Sequence, residues 1–333
     1  MLYCLVDIEG LTMKMFKLET STKGDFEHQA KIVKGKSFDK SKASFSNSYF
    51  TITLQKNTLL KSYKSKSSRK DIQLDQEFNY FDNSASGLYI FKPLRDKIKF
   101  DYFAREAHVF EGNLVTVIRS KSNENLSQQI TLFKQGDTQI APLIDTTAVS
   151  WEFIELGFSM STKSFSSKNL EYYNHDSNEF VKREFENIDD IKDTGKNIYP
   201  VVHGYALKDG NLAFGIVNNY PTGCGFIKND KKEIECFLAR STSINDDKGV
   251  PDNLKDDQPV TFSYFLMLDK IKEYSKNFMV LSDYFNLPLT TKYHDEDRND
   301  SKENEIEKEE GSMYNIIKTY MASLIYDEKE GKF

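Results

Sequence analysis

The sequence predicts a mainly β fold with antiparallel strand pairing. Aromatic residues make up 13% of the 333 residues, led by 25 Phe and 18 Tyr, whereas Gly and Pro number only 16 and 7. This composition favours strands over disorder. Short runs rich in aromatic and β-branched residues recur along the chain, separated by clusters of Asn, Asp, Gly and Ser. With 38% hydrophobic residues, the chain can form two domains or one large β domain.

The apolar runs are predicted to be the strands of this fold. They are Tyr49–Leu54, Leu88–Phe91, Leu114–Ile118, Gln129–Phe133, Trp151–Phe158, Asn211–Val217 and Val260–Leu268. In the last run, alternate apolar residues share one face, while Thr261 and Ser263 lie on the other until the strand becomes apolar on both sides. Asp209-Gly210, just before the sixth run, is a two-residue hairpin signal that predicts antiparallel neighbours.

The C-terminal part of the sequence departs from the strand pattern. After Gly311-Ser312, apolar side chains follow the i, i+3, i+4, i+7 spacing of an amphipathic helix, which we predict over residues 313–326. Residues 296–311 contain Ile306 as their one large apolar residue, so we expect this stretch to be mobile. The predicted organisation is therefore a β region over residues 1–290, an acidic flexible insertion over 291–311, and a terminal helix and tail over 312–333.

Charge and hydropathy exclude several classes of partner. The formal net charge is -6, and residues 295–310 alone carry nine acidic and three basic side chains. A chain without overall positive charge lacks the electrostatic footprint of a nucleic-acid-binding protein, and the basic residues between Lys56 and Lys70 are predicted to form an exposed hairpin tip. No segment approaches the roughly 18 apolar residues of a membrane span. Asp7 and Glu9 interrupt the N-terminal apolar residues, so we expect no secretion signal in this sequence.

The sequence contains no general catalytic or metal-binding motif. It has no Gly-rich phosphate loop, no G-x-S-x-G and no H-E-x-x-H, and its five histidines are too scattered for a local metal site. Adjacent acids such as Asp246-Asp247 are expected in solvated loops, because glycoside hydrolysis needs two carboxyl groups facing each other across the scissile bond. Cys4, Cys224 and Cys236 fit no zinc site, and at most one pair of them could form a disulfide. We therefore assign no catalytic and no metal-ligating residue.

Several phrases of the sequence resemble one enzyme family in both order and spacing. They are FDNSASGLYIFKP (Phe81–Pro93), YYNHDSNEFVKREFEN (Tyr172–Asn187), NIYPVVHGYALKDGNLAFGIVNN (Asn197–Asn219) and IECFLARSTSINDDKGVPDNL (Ile234–Leu254), preceded by CLVDIEGLTMKMFKLE (Cys4–Glu19). Through them, residues 1–290 resemble the β-sandwich that follows the catalytic barrel in class II α-mannosidases of glycoside hydrolase family 38. The resemblance implies a large antiparallel β-sandwich of the galactose mutarotase-like supersandwich type.

The resemblance also implies what this sequence lacks. In the family, zinc held by His and Asp residues of an N-terminal α/β barrel binds mannose hydroxyls, and an Asp nucleophile forms a covalent glycosyl intermediate. Those motifs do not occur here, so no cofactor is expected in this chain and zinc belongs to the missing barrel. The implied partners are a mannose-containing glycan and a barrel-bearing chain. The implied location is the lysosome, vacuole or Golgi lumen, although no signal peptide is seen.

The family pattern selects two substrate-facing residues. Tyr80, or its neighbour Phe81, stands where the family places an aromatic residue beside the catalytic pocket. Arg240 matches one Arg of the family's H-R-R phrase, and its guanidinium offers fixed donors to sugar hydroxyls. The alternatives are a core aromatic residue and a surface arginine. Ala239 and Ser241 replace the flanking His and second Arg, so the ligand-facing edge differs from the family pattern.

Two hypotheses of function follow. The first is a glycosyl hydrolase family 38 C-terminal domain protein, part of an α-mannosidase that acts in mannose or N-glycan metabolism. Such a chain would bind carbohydrate but would not be catalytic by itself. The alternative is a stand-alone, non-enzymatic β-sandwich that binds carbohydrate or another protein. In-frame His-x-Asp zinc motifs upstream of Met1 would favour the first.

Overall fold

The described part of the chain contains two large β-sheets, one α-helix and two short 3-10 helices, Asp137–Ile140 and Ile191–Asn197. The computed structural model describes residues 34–286, except residues 152, 167–169, 177, 228–232, 243, 250 and 256. The chain divides into two compact units, and the described residues belong to the one that contains Ala30–Pro288. The predicted helix over residues 313–326 and the acidic stretch over 296–311 lie outside the described residues.

The first sheet has ten strands and the second has nine, and all of their pairings are antiparallel. In spatial order, the first contains β1 (Lys36–Ser37), β7 (Glu106–Glu111), β8 (Val115–Asn123), β9 (Leu126–Phe133), β10 (Leu143–Ala148), β19 (Val260–Lys270), β16 (Leu212–Asn218), β15 (Gly204–Asp209), β12 (Leu170–His175) and β13 (Phe180–Arg183). The second contains β14 (Ile198–Val201), β17 (Thr222–Gly225), β18 (Glu233–Arg240), β11 (Ile154–Thr162), β5 (Asp71–Asp82), β4 (Leu60–Ser65), β3 (Phe50–Leu54) and β2 (Ser44–Ser46), with β6 (Ile98–Lys99) paired to β5.

The core lies between the two sheets, as expected for a β-sandwich. The alternation predicted for β19 is confirmed. The alternate residues after Val260 all belong to the inter-sheet core, namely Phe262, Tyr264, Leu266 and Leu268. The ring of Tyr264 stacks on Phe158 of the second sheet, with centroids 5.1 Å apart. The Asp209-Gly210 hairpin is also confirmed: it joins β15 to β16, and Gly210 adopts the left-handed backbone conformation that the turn requires (φ 61°).

An α-helix covers part of the outer face of the ten-stranded sheet. It follows β19 without a loop and spans Ile271–Asn286 (α1). Its buried Tyr274, Phe278 and Leu281 pack on outward-facing residues of the sheet, including Val217 and Phe265. This is the single α-helix among the described residues. The sequence patterns do not predict this helix, which lies within the predicted β region over residues 1–290.

Most predicted strands are present, but Leu88–Phe91 is not a strand. The other runs correspond to β3, β8, β9, β11, β16 and β19, with shifted ends. Residues 88–91 instead belong to an extended loop whose backbone polar groups bind side chains of neighbouring segments. These partners replace the ladder hydrogen bonds that a strand would have made.

Candidate functional site

A loop after β5 crosses the outer face of the nine-stranded sheet. We call residues 83–97 the strap. Outward-facing side chains of β5 and β18, such as Phe81 and Phe237, lie outside the inter-sheet core cluster. The strap's Phe91 ring packs on both of them, with centroid distances of 5.3 and 4.9 Å. The strap therefore buries polar and aromatic residues that a free sheet face would expose.

Arg240, at the end of β18, anchors the strap. Its Nη1 donates to the carbonyl oxygen of Leu88 and its Nη2 to that of Ile90, each at 3.0 Å. Its Nε lies 2.8 Å from Oε2 of Glu155 on β11, whose side chain is only 3% exposed. The planar guanidinium thus holds two carbonyl groups of the strap and a buried carboxylate of the sheet at once, a geometry that suits its fixed fork of donors.

Asn83 ties the beginning of the strap to the same carboxylate. Its side chain is fully buried, and Nδ2 donates to Oε2 of Glu155 at 3.0 Å and to the carbonyl oxygen of Ser241 at 3.3 Å. Glu155 therefore accepts a hydrogen bond from Asn83 and forms an ion pair with Arg240. Sequence reasoning selected Arg240 but missed Glu155 and Asn83. Glu155 could have been noticed in the sequence, because it is an acidic residue inside the apolar run Trp151–Phe158.

The middle of the strap contacts the loop that follows β18. The backbone N–H of Tyr89 donates to Oδ2 of Asp246 at 2.8 Å. A methyl group on Gly87 would lie 2.3 Å from Cβ of Asp246, so this approach requires glycine. Although Asp246-Asp247 was expected to be solvated, Asp246 therefore has a structural partner. The Tyr89 ring is 62% exposed, and Leu94 and Ile244 are also exposed large hydrophobic residues.

The end of the strap covers a second buried carboxylate. Lys97 Nζ lies 3.0 Å from Glu235 of β18 and also pairs with Glu233. Burial raises the pKa of the Glu235 carboxyl to about 7, although Lys97 and Asn79 favour its charged form. Burial lowers the pKa of Lys97, but the two carboxylates outweigh it and the net shift is upward. Both buried acids beneath the strap thus have a cationic partner.

The two residues selected from the sequence lie on opposite faces of the nine-stranded sheet. Tyr80 is half-buried, packs against the inter-sheet core, and meets the Trp151 ring edge-on at 5.8 Å. Arg240 lies on the outer face, where Phe81 is the nearby aromatic residue and is fully buried. The structure therefore brings Arg240 together with Glu155 and the strap, and not with Tyr80.

Two cysteines cross-link the second sheet from its core face. Cys224 of β17 and Cys236 of β18 are directly opposed, fully buried and joined by a disulfide. Of the three cysteines in the sequence, these two form the pair that was left open above. Within the described residues, no group of three or more His, Cys, Asp or Glu is arranged to hold a metal ion, and no helix is long and apolar enough to cross a membrane.

The fold defines the chain as a large two-sheet antiparallel β-sandwich. The family model described as "Glycosyl hydrolases family 38 C-terminal domain" matches residues 45–249, a range that contains three of the four resembling phrases and most of the last. The chain belongs to this family. No curated protein sequence matches the chain significantly.

Two solved structures of glycosyl hydrolase family 38 proteins share this fold. An α-mannosidase from Enterococcus faecalis V583 matches with 14% identity and a TM-score of 0.59, over 77% of this chain and 33% of its own. A glycosyl hydrolase family 38 protein from Enterococcus faecalis matches with 14% identity and a TM-score of 0.56, over 80% of this chain and 35% of its own. This chain thus spans about a third of their length. A galactose mutarotase-like protein from Lactobacillus casei ATCC 334 has a lower TM-score of 0.38, with 9% identity over 68% of this chain and 99% of its own.

Proposed function

We propose that this chain is the non-catalytic β-sandwich of an α-mannosidase that acts in mannose or N-glycan metabolism. In this proposal it supports a barrel-bearing domain or chain and contacts the glycan at one edge, without performing the hydrolysis. Family membership and the shared fold support the assignment to a glycosidase. In this proposal zinc would be held by the barrel, since the described residues contain no cluster of His, Cys, Asp or Glu arranged to hold a metal ion.

The anchored strap is the observation that carries this proposal. A loop fixed by a buried ion pair and two guanidinium–carbonyl bonds is positioned rigidly, as a surface that completes a neighbouring site must be. The strap also presents the exposed Tyr89 ring, and the loop after β18 that Tyr89 contacts exposes Ile244. Exposed aromatic and apolar side chains of this kind are suited to docking against another protein surface. Arg240 would act at the glycan through the strap that it holds. Tyr80, on the opposite face of the same sheet, would instead be a core aromatic residue.

The catalytic part of the proposal is tested with the purified 333-residue chain. We expect no hydrolysis of p-nitrophenyl α-mannoside and no stoichiometric zinc by metal analysis, because the sequence lacks the family's metal ligands and nucleophile. Zinc-dependent mannosidase activity of residues 1–333 alone would refute the proposal. It would require a site that the recognised motifs do not supply.

The binding part of the proposal is tested by calorimetric titration with mannose and α-linked mannobiose. Arg240→Ala should weaken binding by about 1–3 kcal/mol, because it leaves the strap carbonyls and Glu155 without their buried partner. Arg95→Ala is the matched control, since Arg95 lies on the same strap but is 64% exposed and pairs only at the surface with Asp82. Equal affinities of the wild-type and Arg240→Ala proteins would contradict the assigned role of Arg240.

A further inference from the structure

The outer face of the ten-stranded sheet is divided into an apolar half and a polar half. The apolar half lies under α1, where Phe265 of β19 and Val217 of β16 pack on the helix. The polar half extends over β7, β8, β9, β10 and the beginning of β19, and no described helix covers it. A cavity of about 520 Å³ lies on this polar half. Its volume is within the usual range of small-molecule sites.

Strand register places one polar row across the floor of this cavity. His108 is opposite Arg119, Arg119 opposite Gln129, Gln129 opposite Asp145, and Asp145 opposite Ser263. Neighbouring strands lie about 4.8 Å apart, so hydrogen-bonding groups recur at a spacing comparable with the width of a hexose ring. On each strand an apolar neighbour of the row belongs to the inter-sheet core, which fixes the row on the outer face. These neighbours are Val109, Ile118, Ile130, Ile144 and Phe262.

A relay of hydrogen bonds orients the centre of the row. Arg119 Nε donates to Oε1 of Gln129 at 2.7 Å, and Gln129 Nε2 donates to Oδ2 of Asp145 at 3.2 Å. The amide of Gln129 is thereby fixed with its oxygen toward the guanidinium and its nitrogen toward the carboxylate. Burial raises the pKa of Asp145, while hydrogen bonds from Ser263 and Gln129 oppose the shift. Such a prearranged set of donors and acceptors lowers the entropic cost of ligand binding.

Charge and aromatic surface restrict the ligand class. The lining contains two cations, Arg119 and Lys121, and two carboxylates, Glu106 and Asp145, so their charges balance and neither an anion nor a cation is favoured. Phe110 lies at one side with the Arg119 guanidinium 5.7 Å from its ring centroid. An aromatic ring beside a polar row gives an apolar surface for the C–H face of a sugar while its hydroxyls meet the row.

We propose that this cavity is a binding site for a neutral hexopyranoside, with Asp145 and Gln129 holding adjacent hydroxyl groups and Phe110 packing against the ring. The site lies on the ten-stranded sheet, whereas the strap lies on the nine-stranded one. It therefore does not depend on Arg240 or on the proposed support of a barrel. The proposal adds a second carbohydrate contact to the chain.

The test observes the site directly in the full chain. Thr147 and Thr261 line the cavity, and their side-chain oxygens are 2.9 Å apart. Their methyl groups can be labelled with ¹³C and their NMR signals assigned with Thr147→Ser and Thr261→Ser. Titration with methyl α-mannoside, methyl α-glucoside and methyl β-galactoside should give a saturable shift of both signals with at least one of them. Glucuronate and glucose 6-phosphate should bind no more tightly than the neutral glycosides, because the balanced charges of the lining give an anion no advantage.

Matched variants then decide the role of the polar row. Asp145→Asn keeps the side-chain shape and should weaken binding about tenfold or more, because it removes a charged acceptor. Gln129→Met should also weaken it by breaking the relay, while Asp71→Asn, an exposed residue of the other sheet, should not. Urea unfolding of each variant checks that the fold is retained. Three outcomes would overturn the proposal: no saturable shift with any neutral glycoside, unchanged affinity in folded Asp145→Asn, or tighter binding of the anionic sugars.

The Arg240→Ala and Asp145→Asn variants together distinguish sugar binding in the cavity from sugar binding at the strap. Weaker calorimetric binding in Arg240→Ala with intact sugar-induced shifts of Thr147 and Thr261 would support two separate sites, one that depends on the strap and one in the cavity. Retained binding in Arg240→Ala with loss in Asp145→Asn would support the cavity and contradict the role assigned to Arg240.

Discussion

At the scale of single residues, Glu155 is the centre of the strap's attachment. It is nearly inaccessible to solvent, and its Oε2 accepts from Asn83 and pairs with Arg240. A buried carboxylate is tolerated only when its lost hydration is replaced by charged and polar partners. Because those partners come from two segments distant in sequence, the carboxylate joins β11, β18 and the strap.

We predict that Glu155→Gln lowers the free energy of unfolding by about 1–3 kcal/mol, because it removes the charge from a buried ion pair and changes one acceptor of that pair into a donor. Urea denaturation measures the change. Glu77→Gln is the matched control, since Glu77 lies on the outer face of the same sheet and pairs with Lys99, which is 64% exposed. That change should cost at most about 1 kcal/mol. If the two variants lost equal amounts of unfolding free energy, burial of the Glu155–Arg240 pair would not determine its contribution to stability.

Of the cluster formed by Glu155, Asn83 and Arg240, only Arg240 could be selected from the sequence. Arg240 could be selected because it stands in a phrase that resembles the family's H-R-R. Glu155 and Asn83 could not, because their roles depend on a cross-sheet register and on the path of a loop. Tyr80 was selected as substrate-facing through the same resemblance to the family's sequence. However, a shift of one residue along a strand exchanges the two faces of a sheet. Phe81, rather than Tyr80, therefore shares the outer face with Arg240.

At the scale of elements, strands were more predictable than the helix. The period-two alternation of β19 is strong, because each of its faces meets a different environment. For α1, apolar residues Ile271, Tyr274, Phe278 and Leu281 do show helical spacing. The helix begins immediately after the strand, without the loop and capping residue that would have marked its start. The Leu88–Phe91 run has strand composition but lacks a strand partner, because side chains bind its backbone.

The packing of α1 yields a prediction at this scale. Phe278 is 1% exposed, and its ring lies 4.6 Å from Phe180 and 4.9 Å from His175. Phe278→Ala should reduce the free energy of unfolding by about 3–5 kcal/mol through lost burial and the cavity left behind. Met279→Ala changes a neighbouring residue that is 52% exposed and should alter it by no more than about 0.5 kcal/mol. Chemical denaturation followed by circular dichroism measures both, and a small effect of Phe278→Ala would contradict the packing described.

At the scale of the whole molecule, the fold class and the family were accessible from the sequence, and the distribution of polar sites was not. Composition and alternation predict antiparallel sheets, and ordered phrases predict the family. The polar row on the ten-stranded sheet joins residues from His108 to Ser263, which are far apart in sequence. Only the registers of five strands bring them together, and no local pattern encodes that arrangement.

Global stability is predicted to depend on pH through Glu235. Its pKa is about 7 in the fold against a reference value of 4.5, so the folded state holds this proton more tightly than the unfolded chain. The contribution of Glu235 to stability is therefore greatest below pH 4.5 and declines as the pH rises toward 7. Lys97 retains Glu233 as a partner when Glu235 is protonated.

Comparison with Glu235→Gln isolates this dependence. The stability of the wild-type protein relative to the variant should fall between pH 4.5 and 7, as measured by denaturation midpoints at several pH values. Glu77→Gln retains Glu235 and should follow the wild-type profile. A stability difference that rises over this range would mean that Glu235 is mainly ionised within the fold.

The strands that end the two described sheets are all short. They are the two-residue β1, the four-residue β13, the three-residue β2 and the four-residue β14, which contains Pro200. Unpaired edge groups are what allow one sheet to extend into another and seed fibrils, and short or proline-containing edges offer few of them. Despite sheets of ten and nine strands, the edge strands within residues 34–286 therefore offer little exposed backbone through which a second copy could extend them.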